Sequence, residues 1–486
     1  VRAAADADAT AGCYRCLERA LVTYEAGLVR AEVDAGARAY RTAVHLAIRE
    51  RLIGLYPGDH QSAPERLAPN GAPADVAVAE DVLPAVAWRR GTLGVGVGTP
   101  LAVADLPLLR ERRVVLESVA DTDAWAATLL LAMLGTNPVV GVNEGQVPPR
   151  GTLPGLDRDT WWRRHPDDGA LSFTRLTLLR GTLAELRAFQ ESRPEFDEVD
   201  AIVGEAELAG GRLVSADEAL GRALSAFPSL VPALALRGDL RQRMEDFALA
   251  VTLYDDLLAR LPEHREALLG RLQCLGFLGR HDQAVIAADR MLQLGTWYQG
   301  EAQYWKAWNL FSLGRLDEAR ASVDAARTLM VNADLSYLGG AIAFRQQRLD
   351  AAQLDFDAAL ELESRHCEAH FDRAAVGLTR GAWPTAAAGF DEAFECLTGR
   401  TPVFEQRIAD AREARLPDEA RAALVTRRQQ ALRDHRTQLA WARYNGGVAY
   451  ANAGTPTTAR DRAREAIAIG GPAAEAAHRL LPQLPP

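Results

Sequence analysis

Apolar positions recur at helical spacing on both sides of a repeated break, as in Ala302, Trp305 and Leu310 before Gly314 and Leu316, Ala319, Val323 and Ala326 after it. The pattern predicts helix, tight turn, helix. Its period is read from an alanine on the second helix, at Ala216, Ala250, Ala284, Ala319, Ala352 and Ala386, with spacings of 34, 34, 35, 33 and 34 residues. Two further series move in step with it. Five residues earlier stand Gly211, Glu245, Gly279, Gly314, Gln347 and Gly381, and seven later Ala223, Leu257, Met291, Ala326, Ala359 and Ala393. Glycine suits the turn because it takes a positive φ at little cost, and the constant alanine lets two helix backbones approach closely. Neither helix buries its apolar face alone, so the units must stack.

The flanks are less regular. Helical patterns occupy Ala3 to Ala9, Cys13 to Leu28 and Ala37 to Leu55, with a break at Gly12, and the stretch Gly12, Tyr14, Leu17, Leu21, Tyr24 resembles the second helix of a degenerate repeat. Pro57 to Pro73 reads as linker. Helices are expected at Val76 to Trp88, Leu101 to Leu116, Asp121 to Leu134 and, as one element, Leu171 to Ser192. Between Thr398 and Arg436 the 34-residue register is lost, and Phe404 to Arg412 and Asp418 to Arg433 read as extra helices before a last, displaced unit with Gly447, Tyr450, Gly454, Ala459 and Ala466. The expected organisation is 1–60, an N-terminal helical region; 61–196, irregular helices with Pro- and Gly-rich loops; 197–397, six repeats; 398–436, inserted helices; and 437–486, a last repeat and tail.

The repeat resembles the tetratricopeptide repeat over residues 197–471. The resemblance is carried by the small residue midway along the first helix (Gly204, Gly238, Ala307, Gly340, Ala374), the bulky residue after the turn (Leu213, Phe247, Leu316, Leu349, Trp383), the alanine series and the closing prolines Pro228 and Pro262. Leu272 and His281 depart from it in the third unit. It implies an all-α fold, an α-solenoid of helix-turn-helix repeats behind an irregular helical N-terminal region, whose first helices line a concave surface.

Composition narrows the function. A net charge of −10 argues against a general nucleic-acid or anionic-membrane binder, and no apolar run reaches the ~20 residues of a membrane helix. Lys306 is the only lysine among 55 basic residues, a skew typical of a GC-rich bacterial genome. The chain begins at Val1, from which we expect export to the periplasm, cell surface or medium, with a cytoplasmic location left open.

Candidate chemistry is sparse. Cys13 and Cys16 have the spacing of a local disulfide or redox pair at a helix start. His366 and His370 stand one helical turn apart, but His366 falls in the loop before its helix and His370 at a core position, so packing is expected rather than metal binding. The glycines of 91–98 lack phosphate-loop spacing and read as a connector. Trp161 and Trp162 are read as pinning their loop to the core. Arg237, Arg271, Lys306 and Arg373 share one phase in four repeats and are read as inter-repeat packing. An acidic chain end would have only Lys306 and Asn309 to clamp it.

The resemblance directs Phe277, Tyr304, Trp308, Phe311, Tyr337, Phe344 and Phe371 toward the concave face, which predicts an aromatic, largely uncharged groove. The expected function is a non-enzymatic scaffold holding an apolar helix or extended segment of a protein or peptide partner there. The alternative is a structural subunit forming a filament or other homo-oligomer through head-to-tail solenoid contacts. No cofactor or metal site is expected.

Overall fold

The computed structural model describes residues 1–55, 64–67, 74–86, 106–136, 164–179, 181–295, 297–414, 416 and 418–485. The glycine stretch 91–98 and the tryptophan pair Trp161 and Trp162 lie outside them. The described residues are all-α, grouped in two compact units, Val1–Gly270 and Arg271–Pro486.

In the first unit the N-terminal helices are α1 (Arg2–Ala11), α2 (Tyr14–Val29) and α3 (Ala35–Ile53), followed by α4 (Pro64–Leu67), α5 (Ala74–Val82), α6 (Leu106–Val119) and α7 (Ala124–Thr136). Residues 125–134 of α7 are buried on every side, as expected of a helix apolar all round. They pack against Tyr40, Val44, Ile48 and Leu52 of α3, Val78 and Val82 of α5, and Leu109 and Leu116 of α6.

The stretch read as one helix from Leu171 to Ser192 is two, α8 (Gly169–Leu178) and α9 (Leu183–Ser192). The first ends at Leu179, and Thr182 starts the second: its hydroxyl accepts from the Glu185 amide while the Glu185 carboxylate accepts from the Thr182 amide, a complete capping box. The region is tied together by one buried ion pair. Arg49 of α3 meets Glu198 at 2.6 Å and donates to the Gly12 carbonyl at 2.9 Å, the Tyr14 amide donates to Glu198 at 2.9 Å, and the guanidinium lies over Phe173 at 3.8 Å.

Repeats follow as helix pairs: α10 (Val199–Ala209) with α11 (Leu213–Ala226), and α12 (Val231–Arg243) with α13 (Phe247–Arg260). The boundary between units falls inside α14 (Arg265–Phe277). The second unit continues with α15 (His281–Gln293), then the pairs α16 (Gln299–Ser312) and α17 (Leu316–Arg327), and α18 (Ala333–Arg345) and α19 (Leu349–Leu362). It ends with α20 (Cys367–Thr379), α21 (Trp383–Glu413), α22 (Asp418–Asn452), α23 (Pro456–Ile469) and α24 (Pro472–Leu480).

The turn series is left-handed throughout: φ lies between 58° and 79° at Gly211, Glu245, Gly279, Gly314, Gln347, Gly381 and Gly454. The six alanines of the period are buried without exception. The small residue of the first helix makes room for a side chain sixteen residues on. A Cβ on Gly204 would stand 2.7 Å from Leu220, one on Gly238 2.6 Å from Tyr254, and one on Gly340 2.6 Å from Phe356. In the third unit the sizes are exchanged, with Leu272 on the first helix and Ala288 sixteen residues on, both fully buried. The sum of volumes is thus kept although the motif is broken.

The residues read as inserted helices are not separate elements. Residues 398–413 continue α21, which reaches 31 residues, and 418–436 begin α22, which reaches 35. At ~1.5 Å per residue α21 is about 46 Å long, against about 21 Å for the 14-residue α19. Thr398 to Pro402 looks like a helix end, and Pro402 does forfeit one helical hydrogen bond. The helix runs through because its apolar face continues. Phe404 stacks on His435 at 4.4 Å, Thr401 bonds His435 Nε2 at 3.0 Å, and Ile408 and Leu424 are buried.

Candidate functional site

The first helices of the second unit gather their aromatic side chains. Trp305 lies edge-on to Phe277 at 5.5 Å, to Tyr304 at 5.5 Å and to Trp308 at 5.7 Å, and Trp308 meets the ring of His281 at 5.6 Å. Trp305 is absent from the predicted groove set. It belongs to the apolar pattern of α16 and is half-buried.

Beside this cluster is an open cavity of about 810 Å³. Tyr304, Trp308 and Phe311 of α16 and Tyr337 of α18 form one wall; Glu363, Arg365, His366 and Glu368, around the start of α20, and Cys396, Gly399, Arg400 and Val403 of α21 form the other. Four of the seven predicted residues therefore line one cavity. Phe371 lines a smaller neighbour of about 220 Å³ with Tyr337, Asp372, Leu397, Gln438 and Trp441. Phe344 packs instead against the core of Ala352, Phe356 and Val376, and Phe277 is half-exposed on the rim of the tryptophan cluster.

The expectation of a largely uncharged groove is corrected: the second wall is charged. The helical register of α16 and α18 forecasts the aromatic wall, but the opposite one comes from the α19–α20 connection and the extension of α21, where no repeat pattern applies.

No protein-family model matches the sequence, and no curated protein matches it. Solved structures similar to the chain include a tetratricopeptide repeat protein from Parabacteroides merdae, 18% identical over 53% of this chain and 96% of that one, with a TM-score of 0.37. YrrB, described as a TPR protein with an unusual peptide-binding site, is 18% identical over 37% and 93%, TM-score 0.32, and the Cut9–Hcn1 hetero-tetramer of the APC/C is 13% identical over 96% and 86%, TM-score 0.32. What decides the fold is internal to the chain: the 34-residue helix pair, the left-handed turn residue, and the small-to-large contact between its two helices. The fold is that of stacked tetratricopeptide-type helix pairs.

Several sequence candidates are used up by the tetratricopeptide frame. Arg237 pairs with Asp217 at 2.9 Å, Lys306 with Asp289 at 2.7 Å and Arg373 with Asp357 at 3.4 Å, in each case on the helix preceding its own. That is the inter-repeat role. Asn309 is fully buried, bonded to His281 Nδ1 at 2.9 Å and donating to the Trp305 carbonyl at 2.7 Å, so it is not presented to a chain end. His366 caps α20 by accepting from the Ala369 amide and pairs with Asp334 at 3.3 Å, whereas His370 bonds the Ser364 carbonyl at 2.9 Å. The two imidazoles turn to different partners. Among the described residues no group of three or more ligating side chains is placed to hold a metal ion.

Two disulfides are formed. Cys13 and Cys16 are joined at the start of α2, both buried, and Cys367 is joined to Cys396, which ties α20 to α21 and contributes a residue to each cavity. The second bridge was not foreseen, because its 29-residue separation has no motif.

The electrostatics of the site are uneven. Burial lowers the basicity of His366, but its bond to Asp334 and the nearby Glu368 outweigh this and its pKa is raised; Asp334, bonded to His366, is held below the usual carboxylate range. Glu368 is engaged by Arg400 at 2.7 Å. Asp372 is different: burial pushes its pKa up to about 6, and it accepts a hydrogen bond from the Tyr337 hydroxyl at 3.0 Å. Burial and Asp372 push the Tyr337 phenol well above its ordinary range, so it stays a donor.

Proposed function

We propose that this chain is a protein-interaction scaffold whose second unit holds a segment of a partner protein in the 810 Å³ cavity. The observation that carries the reading is the wall of Tyr304, Trp308, Phe311 and Tyr337, none of them fully buried, facing an open space within the size range of ligand sites. Aromatic rings left accessible in a concavity act as anchors for apolar side chains. The charged rim opposite fixes the orientation of the segment, since its ion pairs Asp334–His366 and Glu368–Arg400 are already formed and add direction more than affinity. The two disulfides support work in an oxidising compartment.

The test is selection of a random peptide library on the immobilised full chain, with Trp308→Ala as the comparison. Enriched peptides sharing one aromatic or aliphatic anchor, and bound about 30-fold more weakly by the variant (~2 kcal/mol), support the reading. No enriched family, or equal binding to the variant, sinks it.

A further inference from the structure

The 220 Å³ pocket beside the groove has a composition that an apolar segment does not explain. Three rings, Tyr337, Phe371 and Trp441, line it together with a carboxylate, Asp372. Among the described residues Asp372 has no ion pair, although Glu368 nearby has Arg400 and the surrounding helices carry many such pairs. A carboxylate withdrawn from water without a cation is costly, and the rings present negative faces that attract positive charge. An anion would meet Asp372 and Glu368, and an alkyl group would leave the carboxylate desolvated and unpaired.

We infer that Tyr337, Phe371, Trp441 and Asp372 form a cage for a cationic side chain, lysine or arginine, carried by the same partner segment whose apolar residue occupies the larger cavity. The inference rests on the groove reading above. The two cavities share Tyr337 and Glu368 as lining, so anchor and cation sit close together on one segment. Charge complementarity selects the occupant: the burial that pushes Asp372 up to about 6 is the same desolvation that a bound cation offsets. The bridge Cys367–Cys396 holds the floor, because Cys367 and Leu397 both line the pocket and α20 is fixed to α21 beside them.

The experiment uses small probes on the full chain. n-Butylammonium and n-butylguanidinium are titrated at pH 7.5 against protein labelled with 15N at its tryptophan indoles, with n-pentanol as the uncharged analogue and Trp441→Phe to assign the Trp441 signal. The expected result is a saturable shift of the Trp441 resonance with one or both cations, none with pentanol at equal concentration, and at least tenfold weaker binding in Asp372→Asn. Equal responses to pentanol and the cations overturn the cage, as does undiminished binding by Asp372→Asn. If that variant does not fold, the wild-type comparison of cation with alcohol decides alone. The two readings fail separately. Selected peptides that depend on Trp308 but carry no basic residue reject the cage and keep the groove, whereas cation binding without any selected peptide keeps the cage and rejects the groove.

Discussion

Gly340 is where the repeat packing is most exposed to test. It lies in α18 with helical backbone, and a Cβ there would stand 2.6 Å from Cδ1 and Cε1 of Phe356, a ring buried completely between Ala343, Ala352 and Val376. Carbon atoms rest at about 3.5 to 4.0 Å, so Gly340→Ala forces the ring or the helix aside by about 1 Å. Overpacking of that size costs about 1–3 kcal/mol, offset by the ~1 kcal/mol that alanine gains over glycine inside a helix. The net expectation is a loss of up to about 2 kcal/mol. Gly377 in α20 supplies the contrast: its Cβ would meet Ala386 at 3.4 Å, an ordinary contact, so Gly377→Ala keeps the propensity gain and stabilises by up to about 1 kcal/mol.

The chain also supplies its own rescue. At the same two positions of the preceding repeat stand Ala307 and Val323, both buried. Phe356→Val alone leaves a cavity and costs about 2–3 kcal/mol, but combined with Gly340→Ala it recreates the natural pair. The double variant is expected to be less destabilised than the sum by about 1–2 kcal/mol. Thermal melts followed by far-ultraviolet circular dichroism measure all four proteins, at roughly 2–4 °C per kcal/mol for a unit of this size. A Gly340→Ala protein that melts above wild type, as Gly377→Ala should, or strictly additive effects in the double variant, would refute the small-to-large register.

Gln347 takes φ 61° with a side chain, a conformation that costs an L-residue about 1–2 kcal/mol. Gln347→Gly is expected to gain about 0.5–1 kcal/mol after the entropy that glycine adds to the unfolded chain, and an unchanged or lowered midpoint rejects the expectation. Alkylation under denaturing conditions without reductant should modify one thiol, Cys274, of five; more than one rejects the two bridges. Removing Cys367–Cys396 by paired alanine substitutions should cost about 3.6 kcal/mol in the chain-entropy account for a separation of 29 residues. The pH dependence follows from two raised groups. Asp372, at about 6 when folded, penalises the native state above that pH, and the penalty fades as the pH falls toward the unfolded value near 3.8. His366, raised when folded, contributes fully below the ordinary histidine value of about 6.5 and loses that contribution as the pH rises through its folded pKa. Both make the second unit more stable at pH 5.5 than at pH 8, and Asp372→Asn should reduce the difference; a melting point that climbs from pH 5.5 to 8 contradicts the assignment.

What was legible in the sequence is what repeats. Glu245 and Gln347 were placed in the glycine series by phase alone, and both adopt the left-handed turn their neighbours suggest. The aromatic wall was legible for a similar reason, since Tyr304, Trp308 and Phe311 share one face of a helix by the 3.6-residue period. Contacts between residues distant in sequence were not. Arg49 and Glu198 are 149 residues apart and nothing in either neighbourhood marks them as partners, and Cys367 has no spacing motif with Cys396. Nothing in the sequence sets Asp372 apart from the other helix carboxylates, because the Tyr337 that bonds it and the Trp441 that lines its pocket come from two other helices. Helix ends were misread where a local signal opposed a tertiary one: Thr398 to Pro402 suggests a stop, and the apolar face meeting α22 overrides it.

That override links the irregular part of the fold to the site. In an array of equal repeats the second helix of each unit ends after about 14 residues, and the concave face is lined by first helices alone. Here α21 runs on past Leu397, and its continuation brings Gly399, Arg400 and Val403 opposite Tyr304, Trp308 and Tyr337. The partner helix α22 contributes Gln438 and Trp441 to the smaller pocket. An open face thereby becomes a cavity with two walls, one set by the repeat and one by its interruption. The Cys367–Cys396 bridge sits where the two meet, joining the first residue of a repeat helix to the last turn before the extension. Loss of register between Thr398 and Arg436, which by pattern alone reads as a gap in the array, is the feature that encloses the cavity.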